Sequence, residues 1–255
     1  MRSVSRRFRQ RIERPFKVAE QGHLKKFRLF VPFVQGKIGL EIGGPSDVFR
    51  PGNALPVYEE ALRIDNCDFS GATVWTQHSS TFVFNAQKDP GKTIVSEGSA
   101  LKEVADSTYD FVLSSHNLEH FANPVKALKE WQRVLKPGGA LILALPYYKD
   151  IFDHRRKPTA VRHMLQDFSS GTAESDLTHL PEILEKHDLS MDLAAGTREE
   201  FHRRSLDNFS NRCLHHHVFD KQNSRELLTA VGFQVLAIDT VISPHILILA
   251  HWTKS

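Results

Sequence analysis

The sequence predicts an α/β fold built on one mostly parallel sheet. Three observations carry that reading: an alternating apolar run ending in an acid and two glycines at 38–44, a nearly continuous apolar run at 109–115, and a unit of strand, helix, glycine stop and strand over 109–146. Alternating apolar residues mark a strand, whereas apolar residues at consecutive positions mark a strand buried on both faces, as parallel sheets require. The third unit is a βαβ crossover, which is right-handed.

Length and charge bound the rest. With 255 residues, 40% apolar and 25% charged, the chain buries one sizeable core and has room for an insertion. No apolar run approaches the roughly 20 residues of a bilayer span, and the first residues lack the apolar core of a secretory signal. Cys67 and Cys213 fit neither a metal spacing nor a disulfide framework. A soluble, cytoplasmic protein is expected. Residues 1–28 hold ten Lys/Arg against Glu13 and Glu20, a local +8 in a chain of net charge +3, and Val4, Phe8 and Ile12 recur among the arginines at helical spacing. Residues 1–30 therefore read as a basic extension: either a solvated tail, or a stripe that docks on acidic lipid, nucleic acid or the body of the chain. The folded domain is 31–255.

In order, the first strand is 38–42. The helix expected after the glycine turn is cut short by Pro51, Gly52 and Pro56. Dinucleotide folds set a pyrophosphate on the N-terminus of a long helix there, so a ligand gripped by its phosphates is not expected. A second strand at 61–66 places Asp65 as the acid that accepts hydrogen bonds from both hydroxyls of a ribose, with Asp68 the competitor if the register slips. Residues 70–92 read as irregular, anchored by Thr73, Trp75, Phe82 and Phe84. A third strand at 93–95 leads into Ser99-Ala100-Leu101, which either borders a flat base or is a turn in which Ser99 caps the next helix. The fourth strand, 109–115, runs into His116-Asn117. A helix opened by Asn123-Pro124 carries Val125, Leu128, Trp131 and Leu135 on one face and stops at Pro137-Gly138-Gly139, before a fifth strand at 140–146. A helix at 224–231 and strands at 234–242 and 246–251 close the fold.

Leu40-Glu41-Ile42-Gly43-Gly44, Tyr109 to His120 with its Leu-Glu-His ending, and Val134-Leu135-Lys136-Pro137-Gly138-Gly139 resemble, in that order, three motifs of the class I S-adenosylmethionine-dependent methyltransferases, of the type 11 kind. The resemblance covers about 37–147. It implies a Rossmann-like sheet of seven strands, mostly parallel with the last antiparallel, and S-adenosyl-L-methionine as cofactor, leaving S-adenosyl-L-homocysteine. It further implies that Glu41, Gly43, Gly44 and Pro45 surround the amino-acid end of the cofactor, that Asp65 and Asn66 take the ribose, that Ser99, Ala100 and Leu101 border the adenine, and that Ser115, His116 and Asn117 lie beside the methyl group. The later glycines of the first motif are replaced here by Pro45 and Asp47, and an acid common in the adenine turn is replaced by Ser99.

Between the fifth strand and the last helix, about 147–223, stands a long segment of mixed helical character, expected to be an acceptor cap. It holds eight of the chain's 14 histidines. Asp153-His154-Arg155-Arg156 with His163 and Asp167 is one polar cluster, and His215-His216-His217 is the other. Removing an acceptor proton suits a group that titrates near neutral pH, so His154, His216 and His163 are the candidate bases. His120, on an apolar helix start, reads as structural. No metal is expected, because no carboxylate pair stands near the triplet and zinc wants a third and fourth ligand that the sequence does not identify.

The expected function is O-methylation of a small hydroxyl-rich acceptor such as a saccharide or glycan precursor, by a cytoplasmic enzyme whose basic tail suits an anionic surface. The alternatives are a nucleic-acid methyltransferase using that tail, and a non-catalytic methyltransferase-like binding module.

Overall fold

In a computed structural model, described here for residues 28–71, 80–242 and 244–253, eight strands form one sheet. The strands are β1 (Ile38–Ile42), β2 (Arg63–Asp68), β3 (Thr81–Phe82), β4 (Gly91–Val95), β5 (Tyr109–Ser115), β6 (Leu135–Pro146), β7 (Gln234–Ile242) and β8 (His245–His251). Their order is β3-β4-β2-β1-β5-β6-β8-β7. Strands β4, β2, β1, β5 and β6 are parallel neighbours, β8 runs antiparallel to both β6 and β7, and the two-residue β3 pairs antiparallel with β4. The expected sheet is present, with β3 added from a stretch that reads as irregular. The basic extension, its stripe of Val4, Phe8 and Ile12, and Thr73 and Trp75 lie outside the described residues.

Alternation within the strands divides the core between two faces. On β5 and β6, Val112, Leu141, Leu143 and Leu145 pack with Trp131 and Leu128, while Phe111, Leu113, Ile142 and Ala144 pack on the opposite side with Phe49 and Tyr58. The first face is covered by helix α1 (Pro124–Val134) and by the helix that follows the inserted segment. In α1, the Asn123 side chain caps the Lys126 amide and a proline occupies the first turn, where no N–H is needed. Among the described residues the second face is covered by short helical turns, among them Val31–Val34 and Val57–Glu60.

The inserted segment carries α2 (Val161–Ser170), α3 (Leu180–Lys186) and α4 (Arg198–Leu206), and α5 (Lys221–Ala230) then returns to the sheet. Leu180, Ile183, Ala195, Phe201 and Leu214 form a small apolar cluster of their own, apart from the two sheet faces. Arg156 ties this segment together: its guanidinium is buried, pairs with Asp153 at 3.0 Å, and donates to the carbonyls of His215 at 2.7 Å and His216 at 3.2 Å. Among the described residues no helix is long and apolar enough to cross a membrane.

The turn after β1 is braced by a buried acid. The Glu41 carboxyl is fully enclosed and accepts hydrogen bonds from the Ser46 amide at 3.1 Å and the Tyr58 hydroxyl at 2.6 Å. Burial outweighs those bonds and pushes its pKa from the ordinary 4.5 up to about 7. Between those values the folded chain keeps a proton that the unfolded chain has lost, so this group's contribution to stability falls as pH rises through about 7. In urea unfolding, wild type is expected to lose up to about 3 kcal/mol relative to Glu41→Gln between roughly pH 5 and pH 8. Parallel curves for the two proteins would show that Glu41 titrates normally.

Candidate active site

In an open parallel sheet the loops at the carboxyl ends of adjacent strands surround one crevice. Here the ends of β1, β2, β4 and β5 meet around one narrow cleft, where small-molecule sites of such sheets form. Gly43 follows β1 at φ +79, and a side chain there would strike the Asn117 amide at 2.6 Å. Its neighbour Gly44 donates its amide to Asn66 Oδ1 at 2.9 Å. Asn117 lines the cleft, and among the described residues its buried Oδ1 has no hydrogen-bond partner. That atom is an acceptor suited to a ligand's ammonium or hydroxyl.

The acid at the end of β2 is Asp68. It lines the cleft with Cys67 and Phe69, whereas Asp65 sits three residues earlier, opposite Leu40 in the middle of the pairing with β1. The Asp65 carboxylate accepts from the Tyr109 hydroxyl at 3.0 Å and the Lys92 amide at 2.9 Å, a structural brace between strands. Asp68 rather than Asp65 is therefore the acid that reaches the cleft, because β2 begins two residues later than its apolar pattern implies. Asn66 faces the glycine turn rather than the cleft, and serves by holding Gly44.

The turn after β4 is corrected in the same way. Ser99 is buried, its hydroxyl without a partner among the described residues, and Leu101 belongs to the core. Ala100 donates its amide to the Glu97 carbonyl within the turn. The groups at the cleft are Glu97 and Gly98. Gly98 fits a slot where a Cβ would stand 3.0 Å from both Ile42 and Phe121, and its carbonyl accepts from the buried indole of Trp131 at 2.9 Å. An acid followed directly by glycine at a strand end was the available signal for this pair. Glu41 and Pro45 lie behind the cleft lining, as the brace and the exit of the glycine turn. Ser115 ends β5. His116, at φ +46, donates its amide to the Ala144 carbonyl and pairs its Nε2 with His245 Nδ1 at 2.8 Å. Burial lowers the pKa of both rings, that of His245 to about 4.

The three histidines proposed as bases are elsewhere. His154 is on the surface, 2.9 Å from Asp188, which also takes Arg155 at 2.7 Å. His216 is fully enclosed, accepts from the Asn208 amide at 3.1 Å, and is driven by burial to a pKa of about 3. His163 pairs with His179. The imidazole that lines the cleft is His120. Its Nδ1 donates to the Leu214 carbonyl at 3.1 Å, which leaves the lone pair of the neutral ring on Nε2, and burial holds its pKa well below the ordinary value.

Behind His120 stands a file of coupled groups. Its Nε2 lies 3.9 Å from Oε1 of Glu119, and His215 Nε2 is 3.9 Å from the same oxygen. Burial pushes the Glu119 carboxyl up to about 7. His215 Nδ1 meets Asp153 at 2.5 Å; burial opposes a charge on the ring, but the carboxylate overcomes it and raises the pKa. Sequence spacing gave no sign of this file, whose members come from three separate segments.

A family profile described as "Methyltransferase domain" matches residues 56–143. Over 60 residues the chain is 43% identical to a probable methyltransferase of Aspergillus luteorubrus, covering 22% of this chain and 21% of that protein. Over 49 residues it is 51% identical to the ubiquinone/menaquinone biosynthesis C-methyltransferase of Haemophilus ducreyi, covering 19% and 18%. The chain thus spans about a fifth of the length of these curated relatives. The solved structure of a SAM-dependent methyltransferase from Methanosarcina mazei superposes with a TM-score of 0.50 at 18% identity, over 89% of this chain and 98% of that one. Sheet order and this superposition show that the chain has the Rossmann-like fold of class I S-adenosylmethionine-dependent methyltransferases, and residues 56–143 match the methyltransferase-domain profile.

Proposed function

We propose that this chain methylates an oxygen of a small hydroxyl-rich acceptor, such as a saccharide or glycan precursor, with residues 147–220 as the acceptor cap. The observation that carries the reading is His120: a neutral imidazole lining the cleft, its tautomer fixed by a backbone carbonyl, and a carboxyl of raised pKa behind it. The polar lining supports a hydroxylated acceptor, since Asp68, Glu97, Glu174, Arg212 and Asn117 all face the cleft.

The cleft suits S-adenosyl-L-methionine. Asn117 Oδ1 beside the Gly43 backbone fits an amino-acid end, Asp68 fits a ribose diol, and Gly98 between Ile42 and Phe121 fits a flat base. When bound, the cofactor supplies a methyl group on a sulfonium, an electrophile for in-line displacement. The chain's own work is to align the acceptor and take its proton. His120 accepts that proton on Nε2, and Glu119 beside it, titrating near neutrality, passes it on or holds it.

Asp68→Ala is expected to weaken binding of S-adenosylmethionine and S-adenosylhomocysteine by about 2 kcal/mol in titration calorimetry, the scale of lost charge-assisted hydrogen bonds. Asp65→Ala should destabilise the fold and leave affinity nearly unchanged. The reverse ranking would return the ribose to Asp65.

With labelled cofactor and a panel of polyhydroxylated acceptors, His120→Ala should lower kcat by roughly 10²–10⁴ while sparing cofactor affinity, and His154→Ala should turn over as wild type. The kcat of wild type should rise with pH through about 7 as Glu119 ionises, and Glu119→Gln should flatten that limb. A wild-type rate in His120→Ala would end the base assignment. A methyl found on carbon would replace the oxygen acceptor, a nucleic-acid product would shift the role to the basic tail, and cofactor binding without turnover on any acceptor would leave a binding module.

A further inference from the structure

We propose that His163, His179, His217 and Asp167 form a zinc site that fastens the helical cap. The sequence separates these residues into different clusters, and folding brings them together. His163 and Asp167 stand four apart on α2 and so share one face. His179 immediately precedes α3, and His217 lies in the extended stretch before α5.

The geometry is that of a four-ligand set. In a tetrahedral site with bonds of about 2.0–2.1 Å, ligand atoms stand roughly 3.3 Å apart. Nε2 of His163 is 2.8 Å from Nε2 of His179 and 3.6 Å from Asp167 Oδ2, and Nε2 of His217 is 3.7 Å from the same oxygen. One ring nitrogen from each of the three histidines falls within 4.8 Å of the others. The rings meet edge to face, with centroids 5.0 Å apart for His163 and His179 and 5.2 Å for His179 and His217.

The chemistry of the donors points the same way. Asp167 Oδ1 accepts from the Thr172 hydroxyl at 3.3 Å, while Oδ2, His179 Nδ1 and His217 Nδ1 are buried and have no hydrogen-bond partner among the described residues. A buried carboxylate oxygen left unpaired is costly, and a cation held between Asp167 Oδ2 and the Nε2 atoms of the three rings relieves it. His217 Nε2 also lies 3.3 Å from the Ala122 carbonyl, a long contact that metal binding displaces. Three imidazoles and one carboxylate select zinc over magnesium or calcium, which prefer all-oxygen sites. His163 is partly exposed, so the ion has a way in from solvent.

The test uses the purified full chain, stripped with a chelator and titrated with zinc and with cobalt. One equivalent of zinc should bind and raise Tm, and cobalt should give the visible d–d bands of a tetrahedral nitrogen and oxygen site. Asp167→Asn and His163→Ala should keep the wild-type circular dichroism spectrum and lose zinc affinity by more than about 100-fold. Absence of stoichiometric binding in wild type would overturn the proposal. So would binding that survives Asp167→Asn, or binding lost in Glu119→Gln instead, which would place the ion among Glu119, His120 and His215. None of these readouts requires turnover, so failure of the methyl-transfer reading leaves them intact.

Discussion

The buried Glu41 carboxyl fixes the turn on which the cleft is built. It takes the Ser46 amide and the Tyr58 hydroxyl, and so clamps the exit of the turn to the helical layer beneath the sheet. The doubled glycine follows from this. Gly43 supplies the positive φ, while Gly44 leaves room for the acid, since a Cβ there would fall 2.4 Å from the Glu41 carboxyl carbon. The same brace explains why Pro45 and Asp47 are accepted where the family carries further glycines. Pro45 has no amide to satisfy, the next amide is taken by Glu41, and Asp47 points outward to Arg50 at 2.9 Å. A turn held from behind does not need a long helix to order it.

The sheet was legible in the sequence because its strands are buried on both faces and so carry apolar residues at successive positions, as in 109–115 and 140–146. The site was legible only where backbone geometry dictates the residue type. Gly43 and Asn117 line the cleft because one backbone must bend there and the next loop comes against it. Side chains placed by register were misjudged by a few residues: Asp65 for Asp68, and Ser99 for the Glu97-Gly98 pair. Periodicity identifies a strand without saying where it ends, and the function of an acid on β2 depends on whether it falls within the ladder or just past it. The catalytic histidines were a different failure. His154 looks poised because Asp153 and two arginines flank it, yet those neighbours in sequence are divided in space. Asp153 and Arg156 turn inward to His215, and His154 with Arg155 turns outward to Asp188.

Burial divides the cap histidines by what each ring finds beside it. An imidazole taken out of water loses its charge unless an anion restores it. His216 and His217 meet amides, carbonyls and other imidazoles, and are neutral. His215, between them and equally enclosed, meets Asp153 and is raised instead. The segment does not alternate as a strand would: His215 faces Phe152 and the Glu119 side, while the consecutive His216 and His217 both approach His179. One tripeptide thus places a ring paired with a carboxylate beside two neutral rings.

These two groups are joined to the cleft through Arg212. Held at φ +52, it donates to Glu97 at 2.8 Å and to Glu174 at 3.0 Å, with its guanidinium over the rings of Phe69 and Phe209. Glu97 belongs to the turn after β4, whereas Glu174 follows α2 and also accepts the Ala122 amide at 3.2 Å just before α1. The cation therefore bridges the rim of the sheet and the cap across the mouth of the cleft. Two carboxylates share one guanidinium, so a ligand donor that takes Glu97 does not strand a half-buried charge: Glu174 and the aromatic faces still hold Arg212. Arg212 stands two residues before Leu214, whose carbonyl sets the tautomer of His120. The guanidinium at the mouth of the cleft and the carbonyl that meets His120 are thus carried by the same short run of chain.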